Sequence, residues 1–169
     1  MACPSRAVVL LASTACFLTL LRTAQADSRF FVEGKVYCDT CRTQFVTRLS
    51  EYLDGATVRL ECSEREGGSL TYSVEGTTDN TGTYRLPVDG EHEEEICEIV
   101  LVKSNKEGCD EVSKDTFLRN SARITLTANS GMSTPVRSAN PLGFMKKIPL
   151  PECSDVLKEL GMLGTDTLA

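Results

Sequence analysis

The chain has 169 residues, a formal net charge of −6, eight cysteines, one histidine and no tryptophan. A balance this acidic excludes steering to nucleic acid or to anionic lipid by the overall field. Residues 1–26 carry a short region with Arg6, an apolar run from Ala7 to Leu21 and an Ala24-Gln25-Ala26 exit. That is the layout of a secretory signal peptide, cleaved between Ala26 and Asp27. Its removal leaves 143 residues, enough for one domain spanning 27–169. The leader holds Arg6 and Arg22 and no acid, so the mature charge falls to −8. No later stretch approaches the roughly 20 apolar residues that span a bilayer. The expectation is a secreted, extracellular protein with no membrane span.

After the leader the dominant period is two. Phe30, Val32, Gly34, Val36 and Cys38 share one face, with Glu33 and Lys35 on the other. Val58, Leu60 and Cys62 alternate with Thr57, Arg59 and Glu61, and Leu70, Tyr72 and Val74 alternate with polar neighbours. The same rule covers Tyr84, Leu86 and Val88, then Ile124, Leu126 and Ala128, each a strand with one wet face. Ile96 to Val102 is apolar on both faces apart from Glu98, as a central strand would be. Gly67-Gly68-Ser69 and Asp79-Asn80-Thr81-Gly82 supply turns between strands, and Asp89-Gly90 opens an acidic loop. Thr43 to Leu53 allows a short helix or an irregular crossing. Pro135 to Pro151 holds four prolines and reads as a long loop with an edge strand. A short C-terminal helix is expected over Ser154 to Leu160, with Ser154 as its N-cap. The sum is an all-β fold, a disulfide-braced antiparallel seven-stranded barrel or sandwich.

Cys3 and Cys16 leave with the signal. Cys38, Cys41, Cys62, Cys97, Cys109 and Cys153 remain, an even set with 15 possible full pairings. The Cys38-Asp39-Thr40-Cys41 unit lacks the βαβ context of a thioredoxin-like redox pair. It also lacks the second CxxC or clustered histidines of a zinc knuckle. On an extended strand, Cys38 and Cys41 point to opposite faces and reach different partners.

The segment Glu33-Gly34-Lys35-Val36-Tyr37-Cys38-Asp39-Thr40-Cys41-Arg42 is long and specific. It resembles the signature of the Ole e I-like family, plant extracellular proteins named for the major olive pollen allergen. Gly55-Ala56-Thr57-Val58 with Cys62, Thr78-Asp79 through Gly82 to Tyr84, Glu94-Glu95-Ile96-Cys97, Ala139 to Phe144, and Pro149 to Cys153 extend the likeness over nearly all of the mature chain. The resemblance implies a disulfide-braced β-barrel secreted by pollen, acting in hydration, germination or tube growth, with several members allergens. By cysteine order it implies bridges Cys38–Cys109, Cys41–Cys153 and Cys62–Cys97, in keeping with the opposite faces of the CxxC. It also implies a partner in the extracellular space, a receptor ectodomain or a cell-wall component, and IgE in sensitised hosts.

An enzyme needs a constellation, and His92 is the only histidine. It sits in Gly90-Glu91-His92-Glu93-Glu94-Glu95, where a solvated ring is expected and no activated nucleophile lies nearby. The acidic run lacks the spaced Asp/Asn and Gly of a calcium loop. No Gly-rich phosphate loop leads from a strand into a helix. Phe31 and Tyr37 are the best candidates for an exposed aromatic platform, against the plainer reading that both pack under a loop. Arg137, Lys146 and Lys147 together with the acidic 91–95 loop suggest a charge-separated surface for partner steering. These readings favour a non-enzymatic recognition protein without cofactor or metal, with a small wall-acting hydrolase or carbohydrate binder as the alternative. None of Asn80, Asn105, Asn120, Asn129 and Asn140 stands in an N-x-[ST] sequon. Peptide N-glycosidase treatment should therefore leave the mass of the mature protein unchanged by mass spectrometry.

Overall fold

Among the described residues of a computed structural model, the chain forms nine strands, one 3-10 turn and one helix. The structure describes residues 29–113 and 121–163; the expected signal peptide and its expected cleavage between Ala26 and Asp27 lie outside them. The strands are β1 (Arg29–Asp39), β2 (Glu51–Tyr52), β3 (Thr57–Glu64), β4 (Leu70–Thr77), β5 (Thr83–Asp89), β6 (Glu95–Lys103), β7 (Ser121–Ile124), β8 (Val136–Ser138) and β9 (Leu142–Met145). The helix, α1, is Cys153–Glu159.

Four strands form one antiparallel sheet in the order β4-β3-β6-β7. The apolar residues of Ile96 to Val102 belong to β6, which is paired on both edges. The second sheet is built on β1, the longest strand. Antiparallel β5 and then β2 lie along one edge of it, and parallel β8 and then β9 along the other. Phe30, Val32, Val36 and Cys38 from β1 meet Val58, Leu60, Ile99, Tyr84, Leu86 and Val88 in a single core cluster drawn from both sheets. At roughly 25 cal/mol per Å² of apolar surface removed from water, this cluster is the main drive to fold.

Four expectations need correction. The described strands number nine rather than seven, because the proline-bearing segment supplies two short strands and residues 43–53 supply one. The sheets do not close into a barrel: β4 and β5 are adjacent in sequence but share no ladder. Nor is pairing wholly antiparallel, since β8 and β9 return beside β1 in its own direction. Thr43 to Leu53 is an irregular crossing rather than a helix, with Arg42 and Gln44 at φ 59° and 62°. The C-terminal helix is present, but Ser154 lies inside it. The N-cap is Glu152, with no side-chain cap bond, and Ser154 Oγ donates to the Pro151 carbonyl.

The turn before β5 shows why one glycine is needed. Gly82 has φ 72°, and its carbonyl accepts from Val36 N at 2.8 Å, tying the turn to β1. A Cβ there would stand 2.7 Å from Tyr52 Cβ and 2.8 Å from the Val36 carbonyl oxygen, whereas one at Gly67 (φ 88°) would meet nothing. Both substitutions carry the left-handed backbone cost of about 1 kcal/mol, and only the first adds a clash with fixed backbone. Urea unfolding should show Gly82→Ala destabilised by about 2–3 kcal/mol and Gly67→Ala by about 1 kcal/mol.

Candidate functional site

The signature segment runs along β1 and past its end, and nearly every residue in it is committed to a contact. Gly34 leaves space for the Tyr84 hydroxyl, which a Cβ would overlap. Tyr37 packs on Gly143, where a Cβ would lie 2.7 Å from the ring. Cys38 is bonded to Cys109, and Cys41 to Cys153 at the start of α1. Thr40 Oγ1 donates to the Leu49 carbonyl at 2.9 Å, and its own carbonyl accepts from Leu150 N. Arg42 Nη1 donates to Glu111 Oε2 at 2.5 Å and to the Lys146 carbonyl at 2.8 Å.

Asp39 is the centre of this node. It is 0 % exposed. Its carboxylate accepts from Gln44 N at 2.6 Å, Cys41 N at 3.2 Å and Thr43 Oγ1 at 3.4 Å, while its carbonyl accepts from Lys146 N. Charge-assisted bonds to backbone N–H groups satisfy a buried acid and hold the left-handed turn at Arg42 and Gln44. Beside the node, Arg42, Asp110, Glu111, Val112, Ser113 and Met145 border an open basin.

The aromatic platform does not form. Tyr37 is buried, its ring packed on Gly143 of the neighbouring β9. Phe31 is half-buried under the Arg85 guanidinium, 4.5 Å from its ring centre. The basic cluster also breaks up. Arg137 is 3 % exposed, lies over the Phe30 ring, and donates to the Thr127 and Thr134 carbonyls and Ser130 Oγ. It is therefore unavailable for steering. Lys147 Nζ is 3.4 Å from Asp110, so its charge is locally met.

His92 is a further correction. Rather than solvated, it is 9 % exposed and tilted against Tyr72, with ring centres 4.8 Å apart. The 89–95 loop folds back on the four-stranded sheet, where His92 N donates to the Leu126 carbonyl at 3.0 Å. Nδ1 lies 2.6 Å from Glu95 Oε2 and Nε2 3.3 Å from the Asp89 carbonyl. The ring abuts the Cys62–Cys97 bridge, whose residues are direct cross-strand partners. Alternation marked Cys62 as inward. That the loop brings His92 and Glu95 to the same place has no local sequence signal.

Two sheets around one core, three bridges, and a half-cystine turn organised by a buried aspartate define a disulfide-braced β domain. The chain belongs to the family described as pollen protein Ole e 1 like, which it matches over residues 28–161. An Olee1-like protein of Betula pendula is 63 % identical over 164 residues, covering 97 % of this chain and 99 % of the relative. Pollen allergen Che a 1 of Chenopodium album is 50 % identical over 158 residues, covering 93 % and 94 %. The crystal structure of the major plantain pollen allergen Pla l 1 superposes with a TM-score of 0.67 at 38 % identity, covering 74 % of this chain and 99 % of that one.

Burial also makes the site sensitive to alkali. Desolvation, with a smaller contribution from the Asp39 charge, pushes the Tyr37 hydroxyl from 10.0 up to about 12. Burial raises Tyr84 still further. Both phenols keep their protons in the folded state at a pH where the unfolded chain has released them, so stability is full below pH 10 and declines as pH rises toward 12. Phenolate absorbance should show Tyr37 and Tyr84 ionising late, together with loss of the fold. In Tyr37→Phe that late step should shrink.

Proposed function

We propose that this chain is a secreted pollen protein that acts by surface recognition rather than by turnover, and that it is an allergen bound by IgE. The observation that carries the reading is the use made of the end of the signature segment: Cys38, Asp39, Thr40, Cys41 and Arg42 are all spent on holding one turn. A surface stiffened in this way presents the same face to each partner, which lowers the ordering cost of binding. The pollen setting and the allergen reading rest on family membership and on relatives named as pollen allergens. Secretion rests on the leader and the cleavage between Ala26 and Asp27, together with six half-cystines suited to an oxidising compartment. Among the described residues no helix is long and apolar enough to cross a membrane. The partner is an extracellular protein such as a receptor ectodomain, or a component of the wall, met during hydration, germination or tube growth.

Labelled, oxidised mature protein should be retained saturably at the surface of growing pollen tubes, and a reduced and alkylated sample should not. Pectin and glucan oligomers incubated with it should keep their length. Shortened oligomers, with the activity lost in an acid-to-amide variant, would replace this reading with a wall-acting hydrolase.

A further inference from the structure

The cluster beside β6 is not used by that reading. The sulfurs of Cys62 and Cys97, an imidazole nitrogen of His92 and a carboxylate oxygen of Glu95 all lie within 4.8 Å of one another. In the oxidised protein the two sulfurs are bonded together. We infer that opening the Cys62–Cys97 bridge converts this cluster into a zinc(II) site of two thiolates, one imidazole and one carboxylate.

The fold tolerates the opening. Cys62 and Cys97 sit opposite each other on β3 and β6, inside a ladder that runs from Thr57↔Lys103 to Glu64↔Glu95. Backbone pairing holds them together with or without the sulfur bond. The other bridges join segments that are not ladder partners: Cys109 lies in a loop, and Cys153 opens α1.

The imidazole is already aimed. Tyr72 packs on it, Nδ1 faces the donor cluster through Glu95, and Nε2 faces the Asp89 carbonyl. A ring whose second nitrogen donates to a backbone carbonyl is the usual support for a metal-bound histidine. A cavity of ≈190 Å³ lined by His92, Glu95, Cys97, Arg65 and Arg123 reaches the cluster from outside. Both guanidiniums are engaged, Arg65 by the Glu93 and Glu94 carbonyls and Arg123 by Glu98. They stand beside a loaded site whose net charge is −1.

The chemistry closes. A small dithiol reductant gives two electrons and two protons to the Cys62–Cys97 bond, leaving two thiols and a cyclic disulfide of the reductant. Zinc then displaces the two thiol protons into water. In the loaded site Nδ1 faces the metal and the ring's one N–H is on Nε2, from which it donates a hydrogen bond to the Asp89 carbonyl. Tetrahedral zinc sets sulfurs at about 2.3 Å and N or O donors at about 2.0–2.2 Å, so the sulfurs part to about 3.8 Å by side-chain rotation.

The test titrates the full oxidised protein with dithiothreitol in the presence of zinc(II). Alkylation mapping identifies which cysteines are free, metal analysis counts zinc, and circular dichroism follows the fold. Folded molecules with thiols at Cys62 and Cys97 should hold one zinc each, and the metal should slow alkylation of both thiols. His92→Ala and, with less disturbance to packing, Glu95→Gln should weaken zinc binding by about tenfold or more. Cobalt(II) should give a thiolate charge-transfer band that weakens in both variants. The inference is overturned if the species with free Cys62 and Cys97 takes up no zinc or if both variants bind as tightly as the parent. It is equally overturned if this bridge opens only after the fold is lost.

Discussion

A buried carboxylate is costly unless every oxygen is met by a donor, and both carboxylate oxygens of Asp39 are met in this way. It ends β1, the strand on which the second sheet is built. On either side of it stand Cys38 and Cys41, which carry the longest-range bridges, across 71 and 112 residues. The carboxylate takes the N–H groups of Cys41 and Gln44 where the chain turns through two left-handed residues, Arg42 and Gln44. That turn sends Cys38 and Cys41 to different destinations: the loop holding Cys109 and the start of α1. The returning β9 strand then closes over Tyr37.

The three bridges do different work. In the chain-entropy picture each closes a loop of about 35 to 110 residues and contributes at most roughly 4–5 kcal/mol. Two of them fasten elements that the sheets do not themselves hold. The third lies within an existing ladder, so its local constraint duplicates the backbone pairing of β3 and β6. A domain of this size with one core draws rigidity from the first two. Chemical freedom belongs to the third, which has an imidazole and a carboxylate beside it.

Charge in this protein is placed more by local contacts than by the net value of −6. Arg137 lies inside, its guanidinium met by two carbonyls, a hydroxyl and an aromatic face. Arg59 bridges Glu61 and Glu75 across β3 and β4, and Arg123 pairs with Glu98 across β6 and β7. Half-exposed pairs of this kind add little stability individually, but they leave the outer faces of the sheets mixed in sign. A partner therefore meets a patterned surface rather than a single block of charge.

Alternation alone was enough to place the inward residues of β1, β3 and β5, because a strand side chain has only two faces to choose from. The position of β6 between two neighbours was likewise legible from its apolar residues on both faces. The even cysteine count and the signature segment were readable for the same reason: each is local in the chain. The open edges of the sheets, the parallel return of β8 and β9, and the burial of Tyr37, His92 and Arg137 were not. Each depends on which distant segment lies on top, and no period along the chain encodes that. The Cys62, His92, Glu95 and Cys97 cluster follows the same rule, with a cross-strand pair and a folded-back loop meeting only once both sheets are in place. Local stereochemistry decided the elements, and long-range packing decided which polar groups would be sealed among them.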